Sequence, residues 1–209
     1  MNLGELKSRA WWQIDDNETT PTEISAAVMV LLINDAIRDL APDLNIIKSA
    51  TPTFTAGVAS LPADFISPVA VYDGDVQLYE IHSITEKLAD TATTSQYYIP
   101  NNTQIQIFGT TPTGTVTLWY QAYPAALSAD ADIPSEVPVK YHPAIAEVYV
   151  KAKYYERLNR NYDASTLMNE WEGIKREIYK VTHHDRKANG DGIVDIYYDP
   201  QMSGGGSSW

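Results

Sequence analysis

The chain has 209 residues, enough for one substantial domain or a domain carrying an insertion, and no cysteine, which removes disulfides, zinc–thiolate sites and cysteine nucleophiles together. A formal charge of −12 and an isoelectric point near 4.6 argue against wrapping a nucleic-acid backbone, because phosphate neutralisation needs clustered Lys and Arg. The opening MNLGELKSRAWW lacks the apolar core of a signal peptide, and the longest apolar run, AAVMVLLI (26–33), is far short of the ~20 residues that span a bilayer, so a soluble chain with no membrane association is expected.

In chain order, LGELKSRAWWQI (3–14) is a short amphipathic piece. A stronger helix follows, with Thr20 as N-cap, Pro21 at the first helical position and Glu23 three residues after the cap. Ile24, Val28, Leu32, Ala36 and Leu40 form its apolar stripe with Ala27 and Leu31 beside them, and Pro42 ends it. From residue 45 to 122, Thr, Val, Ile and Tyr alternate with Pro, Gly and Asn, which predicts five to seven short strands in a small antiparallel sandwich or barrel. A hairpin turns at Asp73-Gly74, a second at Asn101-Asn102, and a last strand over 113–123 puts Val116, Leu118 and Tyr120 on one face.

Helix returns at 142–158, with Pro143 in its first turn and Ile145, Val148, Tyr149, Ala152 and Tyr155 on one side. Asp163 caps a further helix over 164–181, whose Leu167, Trp171, Ile174, Ile178 and Val181 make a seam for another helix. The expected fold is α+β: a bundle of about four helices (1–44 and 139–182) with an inserted small antiparallel β domain (45–123). A connector (124–138) and an extended C-terminal tail (183–209) complete the division.

Four stretches carry residues of chemical interest. PAALSADADIPSEVPVKYHP (124–143) gathers Asp130, Asp132 and Glu136 with His142, the types a metal-dependent hydrolase would use. Its prolines stiffen the path into extended chain, which separates Asp132 from His142 and favours a solvated joint. In DRKANGDGIVDIYYD (185–199), Asn189, Asp191 and Gly192 match positions of a calcium loop. Lys187 and Tyr198 stand where its first Asp and bidentate Glu belong, so a plain turn and short strand are expected. His183-His184 suits a helix C-terminus, where imidazolium meets the dipole. The end, GGGSSW, reads either as a simple flexible terminus or as a tether for Trp209 as an aromatic anchor. There is no G-x-S-x-G elbow, P-loop, G-x-G-x-x-G or H-E-x-x-H, so no catalytic residue, metal or cofactor is expected and the chain is read as non-enzymatic.

The strings VTLWYQAYP (116–124), DADIP (130–134) and VPVKYHPAI (137–145), followed by Asp163-Ala164, resemble the head–tail connector proteins (adaptors) of tailed bacteriophages. LINDAIRDLAPDL (32–44) and LPADFISPVAVY (61–72) are similar to that family's second helix and first strands, so the likeness covers about residues 20–182. The resemblance implies a helical bundle with an inserted β domain and a structural virion protein. It further implies a homo-oligomeric ring, usually of twelve, below the portal in the neck between capsid and tail, assembled in the host cytoplasm. Such a ring extends the DNA channel, passes DNA without specific binding and docks the next tail protein. An acidic lumen would keep DNA from sticking. The implied portal-docking arm carries Tyr197, Tyr198, Met202 and Trp209. The implied subunit contacts pair Lys151, Lys153, Arg157 and Arg160 with acids of a neighbour, Asp130, Asp132 and Glu136 among them. The alternative reading is a ligand- or carbohydrate-binding β module on a helical stalk, with exposed Tyr and Trp, of which the chain has fourteen and five, as a stacking platform.

Overall fold

The computed structural model describes residues 1–14, 23–81, 96–108 and 115–188, with side chains through His183. Helix α1 (Leu3–Gln13) opens on a reciprocal cap in which Asn2 accepts the Glu5 amide at 2.8 Å and the Glu5 carboxylate accepts the Asn2 amide at 2.9 Å. Helix α2 (Ala26–Asp39) starts later than the pattern suggests. Its cap is Ser25, whose hydroxyl takes the Val28 amide, while residues 23–25 are non-helical and Thr20 and Pro21 lie outside the described residues.

The buried face of α2 is also rotated from the expected stripe. Ile24, Ala36 and Leu40 are buried and Leu32 packs on the core, but Met29, Ile33 and Ile37 complete the inner face, and Val28 and Leu31 are 40% and 61% exposed. A strict four-residue step advances about 40° around a 3.6-residue helix at each turn, so such a row cannot stay on one side. Pro42 does not end α2 but sits in the first turn of a short helix, α3 (Ala41–Leu44), where its missing N–H costs nothing.

Seven strands follow: β1 (Ile47–Ala50), β2 (Val58–Ser60), β3 (Phe65–Asp73), β4 (Val76–Glu80), β5 (Gln96–Asn101), β6 (Gln104–Phe108) and β7 (Val116–Ala122). Both expected hairpins are present: Asp73 pairs with Val76 around Gly74, which has φ 59°, and Asn101 pairs with Gln104. On β7, Val116, Leu118, Tyr120 and Ala122 point inward as the alternation requires.

The strands join in the order β1-β7-β3-β4-β5-β6-β2. Every described pair is antiparallel except β4–β5, which is parallel, with Tyr79 opposite Gln96. A stretch of more than a dozen residues separates β4 from β5, the length a parallel crossover needs.

Residues 139–157 form one continuous helical run, α4. It comprises a 3-10 turn (Val139–Tyr141), an α turn (His142–Ala144), a π-helical stretch (Ile145–Val150) and an α segment (Lys151–Arg157). The π stretch was not expected from the pattern. Ile145, Ala146, Val148, Tyr149 and Val150 are all buried there, because α1, α2 and the last helix pack around it. A helix buried on nearly every side needs no polar face, and its one acid, Glu147, reaches Arg9 of α1.

The last helix, α5 (Asn161–Ala188), begins ahead of Asp163, which lies in the first turn paired to Arg160 at 2.7 Å and is not the cap. Trp171 and Ile178 are fully buried and Leu167 and Ile174 pack on the core as the seam requires, while Val181 is exposed. The helix continues past Val181, where its end was expected. His183 is therefore inside it, stacked on Tyr179 at 3.8 Å, and does not cap a terminus.

The expected helical bundle with a small antiparallel β insert is thus corrected. Among the described residues the fold is mixed α/β, with a curled seven-stranded sheet and about five helices. Local patterns count strands but do not report pairing, and here β1 and β2, adjacent in sequence, go to opposite edges. Helices α1, α2 and α5 pack on α4, and α3 packs on α5. One apolar cluster belongs to the helices and one to the sheet, and Ile46 packs against both. Among the described residues no helix is long and apolar enough to cross a membrane.

Candidate functional site

The acidic stretch that drew attention in the sequence resolves into separate local bonds. Asp130 pairs with Lys7 at 2.6 Å. The Asp132 carboxylate accepts the amides of Ser128 and Ala129 at 2.7 and 2.8 Å, and those donors hold it below the ordinary carboxylate range. Glu136 accepts the Ser135 hydroxyl at 3.0 Å. His142 is buried, with Nε2 2.8 Å from the Val137 carbonyl. The four side chains do not converge, and among the described residues no group of three or more His, Asp or Glu could hold a metal ion.

The connector instead serves as a seam. The amides of Leu3 and Gly4 donate to the carbonyls of Asp132 and Asp130 at 2.8 and 3.0 Å, so the unpaired donors at the start of α1 are satisfied by the connector backbone. Gly4 allows this approach, since a Cβ there would sit 3.3 Å from Asp130 Cβ. From α2, Asn34 donates to the Leu127 carbonyl at 2.9 Å and accepts the Leu127 amide at 2.8 Å. Nothing in the sequence singles out Asn34, because its partner lies 93 positions away.

Asp64 does the same work beside the sheet. Its carboxylate accepts from Lys48 Nζ at 2.7 Å and from the Tyr120 hydroxyl at 3.0 Å, and its carbonyl accepts the Tyr123 amide at 2.7 Å. Burial opposes the carboxylate, but the bonds from Lys48 and Tyr120 and the Lys48 charge outweigh it and leave the pKa lowered. Burial and then the Asp64 bond and charge push the Tyr120 phenol up to about 12. The Tyr123 ring lies under the Arg38 guanidinium at 4.5 Å, and the Gln121 side chain donates to the Pro42 carbonyl at 3.1 Å. The motifs YQAYP, DADIP and VPVKYHP are thus the joints between sheet, connector and helices.

A carboxylate whose folded pKa is depressed contributes stability above its unfolded pKa of ~3.9 and loses it as pH falls through the folded value. Asp64→Asn removes that contribution. The unfolding free-energy difference between wild type and Asp64→Asn is therefore expected to be largest near neutrality and to shrink below about pH 4. Urea unfolding across pH 2–7 checks this, and a gap independent of pH would count against it.

The register also defines an outward sheet face. Trp119 lies opposite Ala70 and Ser49, Tyr72 opposite Thr117 and Gln77, Tyr79 opposite Gln96, and Tyr98 opposite Gln106. None of these outward residues is charged, and Trp119 and Tyr79 are 43% and 63% exposed. The alternation TVTLWYQ already hints that Trp119 faces away from Leu118, but only the pairing reveals that the row crosses the strands.

The four expected interface cations all have partners in the chain. Lys151 donates to Gln13 Oε1 at 3.3 Å, Lys153 pairs with Glu156 at 3.0 Å, Arg157 donates to the Glu23 carbonyl at 2.7 Å, and Arg160 pairs with Asp163. The expected docking residues Tyr197, Tyr198, Met202 and Trp209, and Asn189, Asp191 and Gly192 of the calcium-like loop, lie outside the described residues.

Residues 1–192 match the SU10 adaptor protein family, a span wider at both ends than the resemblance in the sequence. No curated protein matches the chain. A match of this extent, over more than nine-tenths of the chain, places it in the SU10 adaptor protein family of phage head–tail adaptors, structural proteins of the virion.

Proposed function

We propose that the protein forms a ring below the portal in the neck of a tailed phage, extends the DNA channel and offers a docking surface to the next tail component. The match to an adaptor family over residues 1–192 carries this reading. The charge of −12 supports it, since an acidic wall repels phosphate and lets DNA slide through a lumen without sticking. The segment beyond α5, with Tyr197, Tyr198, Met202 and Trp209, is the portal-docking arm of this reading, because large rings on a tether can fill pockets of a partner.

Electron microscopy of the full chain mixed with its portal tests the reading, with a ring on the portal as the expected image. Removing residues 189–209 is expected to weaken portal binding at least tenfold while leaving the unfolding transition unchanged. A portal that stays bare with the full chain rejects the ring, and an unaltered affinity after truncation rejects the arm.

A further inference from the structure

A ring of one chain requires two different faces that fit each other, since the same patch meeting itself closes a dimer. At −12 per copy, a contact that buries carboxylates is penalised twice, by repulsion and by desolvation, so uncharged exposed faces are the cheapest places to join. Two such faces lie among the described residues. One is the outward sheet face with Trp119 and Tyr79. The other is the start of α2: residues 26–34 (AAVMVLLIN) carry no charge, and Ala27, Val28 and Leu31 lie exposed on the side turned away from Met29, Ile33 and Ile37, one turn before the exposed Asp35. An apolar helix stripe and a sheet face with exposed rings are the two halves of the layer by which helices cover sheets inside single domains.

We infer that the occupant of each face is a second copy of this chain: the α2 stripe of one subunit packs on the sheet face of the next. This rests on the ring reading and names the surfaces that build it. The helical part of that run, residues 26–34, is about 14 Å long at 1.5 Å per residue. A contact of that length buries less than the ~800 Å² per partner of a standard interface, so a single contact is weak and ring closure makes it cumulative. Trp119 and Tyr79 are of the residue class that concentrates binding energy at such contacts.

The chain has no cysteine, so engineered thiols report contacts cleanly. Two full-length chains carry Ala27→Cys on the α2 stripe and Gln77→Cys on the sheet face, both at exposed positions. Under mild oxidation the mixed disulfide is expected to form at least tenfold faster than either same-variant dimer. A chain carrying both changes is expected to give a ladder of multimers. Adding Leu31→Glu or Trp119→Glu, with folding checked by circular dichroism, is expected to slow the mixed disulfide by a similar factor. Equal rates for mixed and same-variant pairs overturn the inference, as does a mixed rate that ignores both glutamates. Saturable binding of a neutral oligosaccharide, lost in Trp119→Glu while the disulfide rates are unchanged, also overturns it. If a ring is imaged on the portal and the mixed disulfide is no faster, these surfaces fail while the ring stands; if neither occurs, both fail.

Discussion

Replacing Trp171 with alanine is expected to cost about 3–5 kcal/mol of unfolding free energy, a large share of the ~5–15 kcal/mol that keeps a domain folded. Trp171 is fully buried at the centre of the helical core, its ring 5.2 Å from that of Tyr149. Its indole N–H donates to Asp39 Oδ2 at 2.8 Å and so ties α5 to the end of α2. Truncation would leave a cavity among α2, α4 and α5 and remove the donor together. Trp171→Phe keeps most of the volume and should cost about 1–2 kcal/mol, since Asp39 retains Lys175 at 3.4 Å. Asp39→Asn keeps an acceptor and should cost least. Urea unfolding of the three variants ranks them, and a Trp171→Ala cost under about 1 kcal/mol would mean that α5 is not held through this ring.

The second large effect falls on the connector, and it separates neutral from acidic side chains. Asn34→Ala is expected to cost about 2–3 kcal/mol, because it strips both partners from the Leu127 peptide, whose side chain is buried in the helical core. Asp130→Ala removes an ion pair whose carboxylate is 72% exposed and should cost no more than about 0.5 kcal/mol. The backbone bond from Gly4 to the Asp130 carbonyl survives that change. If instead Asp130→Ala proved as costly as Asn34→Ala, the acids and not the amide would hold the joint.

Asp130, Asp132 and Glu136 are close in sequence and look collective, yet each is engaged with a different neighbour: Lys7, the amides of Ser128 and Ala129, and Ser135. The prolines of the stretch favour extended chain over a converging site. The residue that clasps the joint, Asn34, sits on a helix with no chemical signature of its own.

By itself the sequence determined what depends on near neighbours. Both hairpins, the inward side of β7, the Trp171 and Ile178 positions of α5 and the burial of Ile145 and Val148 follow from periods of 2 and 3.6 and from turn residues, which act within a few positions. The order of motifs was also enough to point to the adaptor family that the match over residues 1–192 then showed. Tertiary structure alone decided the rest. The face of α2 that is buried was chosen by the elements packed on it, and the exposed Val28 and Leu31 follow from that choice. The π stretch exists where a helix is enclosed by α1, α2 and α5. The sheet order, its parallel β4–β5 pair and the uncharged row from Trp119 to Tyr79 depend on strands far apart in the chain. Pairing across such distances is set by long-range packing and loop closure, which leave no periodic mark on the residues themselves.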